Sequence, residues 1–204
     1  MSQTSEFHIR HASSADDDAQ FIVAAFDSTL PYLGSIGAGE MWGETPFSEK
    51  DGFEQETIES VQKSEHQDDC LKIFIAEVEG PVTTAASVYA GRNERRTRVG
   101  LAMIRENSLP TYIAEREEMK PEVDGAKRFI FLEVMISDYR TWPLHKGAGA
   151  ALIEAIKRYG RENEKDTLYV DCWAGNDAKL NRSGFSTNRV PGPESRVLDP
   201  GPER

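Results

Sequence analysis

The stretch that decides the fold runs from Phe129 to Gly149 and reads FIFLEVMISDYRTWPLHKGAG. Its first part is almost entirely apolar, as in a strand that is buried on both faces. A short polar segment follows, and the glycine turn at Lys146–Ala150 then opens into an amphipathic helical pattern. The first turn of a helix has free backbone N–H groups and a partial positive charge, and glycines let a phosphate approach them closely. This order of strand, turn and helix predicts a site for a cofactor with a pyrophosphate.

Periodicity on either side of this stretch predicts the other elements. Strands are expected at Phe7–Arg10, Leu71–Val78, Val82–Ala90, Phe129–Ile136 and Thr167–Trp173, the second and third joined as a hairpin by Gly80-Pro81. Helices are expected from the Ser13-Ser14 cap through Phe26, over Glu54–Glu65, over Tyr112–Met119 and after Gly147, whereas Leu30–Trp42 is expected to be a loop or a broken helix. The sequence therefore predicts an α/β (α+β) fold with a mixed, mostly antiparallel central sheet flanked by helices, in one domain spanning residues 1–204.

The C-terminal residues are expected to form a loose tail from about residue 191 to residue 204. Four prolines in this segment, Pro191, Pro193, Pro200 and Pro202, cannot donate hydrogen bonds to a sheet. Without closing strands the sheet would keep an open edge, and proteins rarely leave such an edge bare. We therefore expect a second copy of the chain to cover that edge in a homodimer.

Charge and hydropathy exclude several classes of partner. The chain carries 24 basic and 35 acidic residues, a net charge of −11, whereas proteins that bind duplex nucleic acid normally present a basic patch. No apolar run approaches the roughly 20 residues that a membrane span requires. The first residues show no basic region followed by an apolar stretch, so a cytosolic or nuclear location follows by default, and we expect a cytoplasmic protein. The scattered histidines and cysteines have no zinc-site spacing, and no metal is expected.

The order of elements and three local motifs resemble the GNAT superfamily of acetyl-CoA-dependent N-acetyltransferases. The motifs are LEVMIS followed by LHKGAGAALI, the strand and turn LYVDCWAGN, and the ending Gly184-Phe185. The resemblance extends roughly from Phe7 to Phe185. It implies a GNAT-like sheet and acetyl-CoA as the co-substrate. The position that is Gln or Arg in the family's turn is Leu144 here.

The resemblance also implies which residues hold the cofactor. The backbone of Met135, Ile136 and Ser137 would pair with the pantetheine arm, and Asn176 would contact the same arm. The pyrophosphate would lie at the turn formed by His145, Lys146, Gly147, Ala148, Gly149 and Ala150. The alternatives are that the glycines only allow close packing of helix and sheet, and that Asn176 only caps a helix.

Two carboxylates and two aromatic residues are candidates for the chemistry. Glu133 is a carboxylate in an apolar strand, and burial raises the pKa of a carboxyl group toward the range of a general base. Asp138, at the end of that strand, is the second candidate. Tyr32 and Trp42 are expected to line the acceptor pocket, where an aromatic face favours an amine. Alternatively, Glu133 forms a structural ion pair or is exposed, and the aromatic residues belong to the core.

Two functions follow from these residues. The first is transfer of an acetyl group from acetyl-CoA to a primary amine of a small molecule. The second is a degenerate protein that binds acyl-CoA without turnover. The tyrosine that serves as general acid in the family is absent from the segment NDAKLNRSGF, which favours the second function. Glu133 and the glycine turn favour the first.

Overall fold

We analysed a computed structural model of the chain, which describes residues 6–66, 69–79, 96–117, 120, 125, 128–171 and 194–198. Its helices and strands are, in chain order, β1 (Phe7–His11), α1 (Asp18–Ser35), α2 (Phe53–Glu65), β2 (Leu71–Glu79), β3 (Arg96–Glu106), α3 (Thr111–Ala114), β4 (Phe129–Ser137), α4 (Ala148–Glu162), β5 (Thr167–Asp171) and β6 (Glu194–Leu198). Short 3₁₀ turns lie at Ser14–Asp16, Gly39–Met41, Phe47–Glu49 and Tyr139–Thr141.

The strands form one sheet in the order β1-β2-β3-β4-β5-β6. The first four strands pair antiparallel, while β5 pairs parallel with both β4 and β6. The crossover from β4 to β5 is the helix α4, as a parallel connection requires. The prediction of a mixed, mostly antiparallel sheet flanked by helices is confirmed, and this is the architecture that the resemblance to the GNAT superfamily implied.

Each face of the sheet is covered by its own helices. On one face, α1 and α2 bury Phe21, Phe26 and Val61 against strand residues such as Ile73 and Leu101. On the other face, α4 buries Leu152 and Ile156 against a second set of strand residues that includes Ala102, Ile104 and Leu132. The strands alternate their side chains between the two layers, so the near-continuous burial of β2 and β3 follows from being covered on both sides.

Helix α4 forms where its apolar spacing predicts. Leu152, Ala155 and Ile156 are buried, and Gly147 precedes the helix with a φ of 94°. A side chain at Gly147 would be strained at that φ, and its Cβ would also lie 3.2 Å from Phe7 Cε2. The glycine therefore sets the point at which the chain turns from the sheet into α4.

Three sequence predictions about elements need correction. Helix α1 continues through Pro31 to Ser35, so the first part of Leu30–Trp42 is helical. The strand that follows β2 and pairs antiparallel with it is β3, and the predicted strand Val82–Ala90 lies outside the described residues. The inner residues of β3, Val99–Ile104, are mostly buried, and charged residues stand at both ends of the strand. Of the helix predicted at Tyr112–Met119, the described residues Tyr112, Ile113 and Ala114 are helical, as part of α3, while Glu118 and Met119 lie outside the described residues.

The loose tail predicted from about Pro191 is wrong for Glu194–Leu198, which form β6 in parallel pairing with β5. The prolines lie on both sides of this segment and none lies within it, so its backbone can join the ladder. The sheet is therefore extended by one strand at the edge that we expected to stay open.

Candidate cofactor and active site

The candidate site begins where β4 bulges. Met103 of β3 pairs with Val134 and Ile104 pairs with Leu132, so Glu133 is an extra residue in β4. A bulge of this kind bends a strand and increases its twist. In the described part of the chain, β5 pairs with β4 only from Phe129 to Leu132, which is the segment before the bulge. Beyond Leu132, the described residues include no strand partner for β4 on its β5 side.

In the described part of the chain, backbone groups in the second half of β4 have no strand partner on this side. The Asp138 N–H donates to Val99 O at 2.8 Å, toward β3. Because neighbouring residues of a strand point their backbone groups to opposite sides, those of Ser137 and Met135 face the β5 side. Among the described residues, no strand pairs with them there. Both residues were predicted to hold the pantetheine arm.

Ile136, the third residue predicted for that role, lies differently. Its backbone faces β3, as shown by the position of its carbonyl oxygen, only 2.8 Å from where a Cβ on Gly100 would be. Its side chain is buried in the core under α1. The backbone groups of Met135 and Ser137 are therefore available to a pantetheine arm, whereas those of Ile136 are not.

Gly100 is a site residue that sequence reasoning missed. A Cβ at this position would lie 2.8 Å from Ile136 O and 3.5 Å from Ala148 Cβ. Only glycine lets β3 pass this close to the end of β4 and the start of α4. The signal in the sequence was a glycine inside the apolar run Val99–Ile104, where it often marks a close backbone approach.

The glycine turn presents free amides. The N–H of Lys146 donates to Pro143 O at 3.1 Å and that of Ala148 to His145 O at 2.9 Å. Within the described residues, the N–H groups of Gly147, Gly149 and Ala150 have no acceptor. These three amides lie at the N-terminus of the 15-residue helix α4, where the helix dipole favours an anion. Of the predicted turn residues, Lys146 and Ala148 therefore use their amides within the turn.

His145 is buried beside this turn. Only 6% of its surface is exposed, and its Nδ1 has no hydrogen-bond partner in the described structure. Its ring lies 5.0 Å from that of Tyr139 and 5.5 Å from that of Trp142, between centroids. Burial lowers the pKa of His145, and the charge of Lys146 lowers it further, against an opposing effect of Asp138. The imidazole is therefore neutral at pH 7.

The expectation that Glu133 is a buried carboxylate is wrong. Its side chain is 31% exposed and forms a two-point ion pair with Arg105, with Nε–Oε2 at 2.8 Å and Nη2–Oε1 at 3.2 Å. Its neighbours in the sequence are apolar and predicted burial, but the bulge places the Glu133 side chain outside the apolar layers of the sheet. The alternatives of exposure and an ion pair both hold.

Asp138 is buried, with 1% of its surface exposed, but its carboxylate is engaged. It accepts from the Arg140 N–H at 3.0 Å, from Arg140 Nε at 2.7 Å and from Arg140 Nη2 at 2.8 Å. These bonds cap the 3₁₀ turn Tyr139–Thr141 and fix the loop that leads to the glycine turn. A carboxylate held in this way has a structural part in the site.

The two aromatic residues predicted for the acceptor pocket lie in different surroundings. Tyr32, 40% exposed, stacks on Tyr139 with ring centroids 4.4 Å apart. Burial and the neighbouring Tyr32 hydroxyl raise the pKa of Tyr139, so the Tyr139 phenol is protonated at neutral pH. Trp42 packs on Phe26 and Phe47 in the core, at centroid distances of 5.4 and 5.7 Å, which favours the core alternative.

Some predictions fall where the structure gives no support for or against them. Asn176 lies outside the described residues, as does the ending Gly184-Phe185. In the described part of the chain, no helix combines the length and apolar content that crossing a membrane requires. No group of three or more His, Cys, Asp or Glu side chains is placed to hold a metal ion among those residues.

Comparison with known proteins finds similarity among solved structures. No protein-family model matches the chain. No curated protein matches it either. A solved structure described as AAC(6')-Iy in complex with the bisubstrate analog CoA-S-monomethyl-acetylneamine is 17% identical, with a TM-score of 0.45, over 91% of this chain and 95% of the other. Similarity of this degree carries no information on what this chain binds.

Proposed function

We propose that the protein is a GNAT-type N-acetyltransferase that moves an acetyl group from acetyl-CoA to a primary amine of a small molecule. One observation carries the proposal. Among the described residues, β4 bulges at Glu133, has no β5 partner after Leu132, and leads within one loop to a helix whose first turn has three amides without an acceptor. An open strand edge that is joined to an anion site by one loop suits a ligand that has an amide-bearing arm joined to a pyrophosphate.

Each part of acetyl-CoA would meet a matching group. The amides of the pantetheine arm would bond to the backbone of Met135 and Ser137 along the free side of β4. The pyrophosphate would accept from the N–H groups of Gly147, Gly149 and Ala150, with the helix dipole adding to the attraction. This arrangement would hold the thioester near the bulge, beside Val134 and Glu133.

The reaction would proceed by direct attack. The acceptor ammonium loses a proton, its nitrogen forms a bond to the thioester carbon, and the C–S bond breaks to release CoA thiolate, which takes up a proton. Glu133, at the bulge, would accept the ammonium proton directly or through a water, once substrate weakens its pairing with Arg105. Tyr32 would contribute an aromatic surface for the amine.

The second candidate function, binding of acyl-CoA without turnover, rests on a specific observation. Both predicted carboxylates are engaged by arginines, Glu133 by Arg105 and Asp138 by Arg140. A protein that only binds acyl-CoA needs the open edge and the turn but no free base.

Two measurements test the proposal. Calorimetric titration with CoA and acetyl-CoA reports binding, and release of free thiol from acetyl-CoA across a panel of primary amines reports transfer. Acetyl transfer requires binding together with amine-dependent thiol release. Binding without thiol release for any amine supports the second function, and absence of binding contradicts both.

A further inference from the structure

The most exposed large apolar side chain in the described structure lies next to the glycine turn. Trp142 is 63% exposed and precedes Gly147 in the same loop. The Lys146 ammonium lies 4.0 Å from the centroid of its ring. This pair combines a flat π surface with a positive charge directly beside the three free amides.

His145 adds an independent sign that a ligand is bound here. Only 6% of the His145 surface is exposed, yet its Nδ1 has no hydrogen-bond partner among the described residues. Buried polar atoms are nearly always satisfied, and one that is not calls for a water or a ligand. The His145 and Trp142 ring centroids are 5.5 Å apart, so the unpaired Nδ1 and the exposed indole lie in the same site.

We propose that Trp142, Lys146 and His145 form the subsite for the nucleotide end of the cofactor. This inference rests on the proposed function. A purine base stacks on the Trp142 indole, because base–aromatic stacking needs only two π faces. The Lys146 ammonium pairs with the phosphate on the ribose as a point charge. His145 Nδ1 bonds to a polar atom of the nucleoside directly or through a water.

The position of the subsite follows from the chemistry of CoA. Its pyrophosphate joins the pantetheine arm to the nucleotide, so a pyrophosphate at Gly147–Ala150 leaves the nucleotide within a few bonds of the turn. In the loop between β4 and α4, Trp142 is exposed and Lys146 is an exposed cation beside it, whereas the other exposed cation, Arg140, pairs with Asp138. The arm then follows β4, and the base lies on the indole.

The test compares ligands that differ only at the nucleotide end. CoA, dephospho-CoA and 4′-phosphopantetheine are titrated calorimetrically into the wild type, Trp142→Leu, Trp142→Phe and Lys146→Met. Tyr112→Leu is the matched control, because Tyr112 is 57% exposed but lies in α3, near the opposite end of β4.

We expect Trp142→Leu to weaken CoA and dephospho-CoA by about tenfold and 4′-phosphopantetheine by less than twofold. Trp142→Phe, which keeps a π face, retains most of the affinity and verifies that the loop still folds. Lys146→Met removes the preference for CoA over dephospho-CoA. Tyr112→Leu leaves all three affinities unchanged.

Two results overturn the subsite. One is CoA affinity in Trp142→Leu equal to that of the wild type. The other is an equal loss for CoA and 4′-phosphopantetheine, as expected for a damaged loop or for a tryptophan that serves another partner. Failure of the proposed cofactor site looks different, because the wild type would then bind neither CoA nor 4′-phosphopantetheine, and failure of acetyl transfer alone would leave these affinities unchanged.

Discussion

Glu133 and Arg105 form a two-point ion pair at the residue where β4 bulges away from β3, with donor–acceptor distances of 2.8 and 3.2 Å. Arg105 lies near the end of β3, so the pair spans the two strands at the point where the bulge interrupts their register. The same carboxylate therefore is the candidate base of the proposed reaction and part of a structural contact. Separating these two roles is the first task for mutagenesis.

Substitution of either partner separates them. Glu133→Gln removes the carboxylate and should lower turnover about 10²–10⁴-fold if Glu133 is the general base, with CoA affinity nearly unchanged. Arg105→Met breaks the same ion pair but keeps the carboxylate, and should retain most of the activity. Amine-dependent thiol release and calorimetry measure both. Equal losses in the two variants would mean that only the ion pair matters.

A carboxylate in the glycine turn should block the cofactor. Gly147→Glu places a negative charge beside the three free amides and should abolish CoA binding, because it competes with and repels the pyrophosphate. The control is Gly52→Glu. Gly52 precedes α2 with a φ of 81°, against 94° for Gly147, so both variants carry similar backbone strain. CoA affinity that is the same in folded Gly147→Glu as in the wild type would refute the turn as the pyrophosphate site.

The close approach of β3 to β4 should make Gly100 sensitive to a single methyl group. Gly100→Ala places a Cβ 2.8 Å from Ile136 O and should lower the free energy of unfolding by about 1–3 kcal/mol, as overpacking usually does. Gly149→Ala is the control, because its Cβ would lie 3.6 Å from Met135 Cε, an ordinary contact. Urea unfolding distinguishes them, and equal stability of both variants would contradict the packing at Gly100.

His11 should make the fold sensitive to acid. The His11 residue is exposed in part, but its ring packs against Phe74 and Tyr159. This partial burial, assisted by the charge of Lys72, lowers the pKa of His11 below its ordinary value of 6.5 in the folded protein. Below pH 6.5 the unfolded chain then binds more protons than the folded one, so stability falls as the pH drops toward the folded pKa. His11→Gln should flatten this part of the stability curve between pH 7 and 5. The free energy of unfolding measured by urea titration at each pH would show an unchanged slope if His11 is not involved.

The predicted homodimer now concerns a different edge. β6 covers β5 and is itself the outer strand of the described sheet, so we expect a second copy to pair there or at β1. Light scattering at high micromolar concentration should give twice the mass of the chain, 22.8 kDa. A monomer under these conditions would rule the dimer out.

The sequence by itself determined the elements with strong periodicity. The apolar run of β4, the alternation of β2 and the helical spacing of Leu152, Ala155 and Ile156 each predicted the right element, because burial on a sheet face or a helix face imposes a repeat of its own. The glycine turn was predicted for a local reason too, since Gly147 adopts a backbone conformation that side chains rarely allow.

Tertiary structure alone decided the properties of the site. The apolar neighbours of Glu133 in the sequence predicted burial, but the register of β3 against β4 makes it a bulge residue and pairs it with Arg105, which lies 28 positions away. Gly100 and Trp142 gain their roles from the close passage of β3 and from the placement of Lys146 and His145. Such relationships depend on which strands become neighbours and in what register. Strand order and register are set by the free energy of the whole chain, whereas periodicity reports only the local environment of each segment.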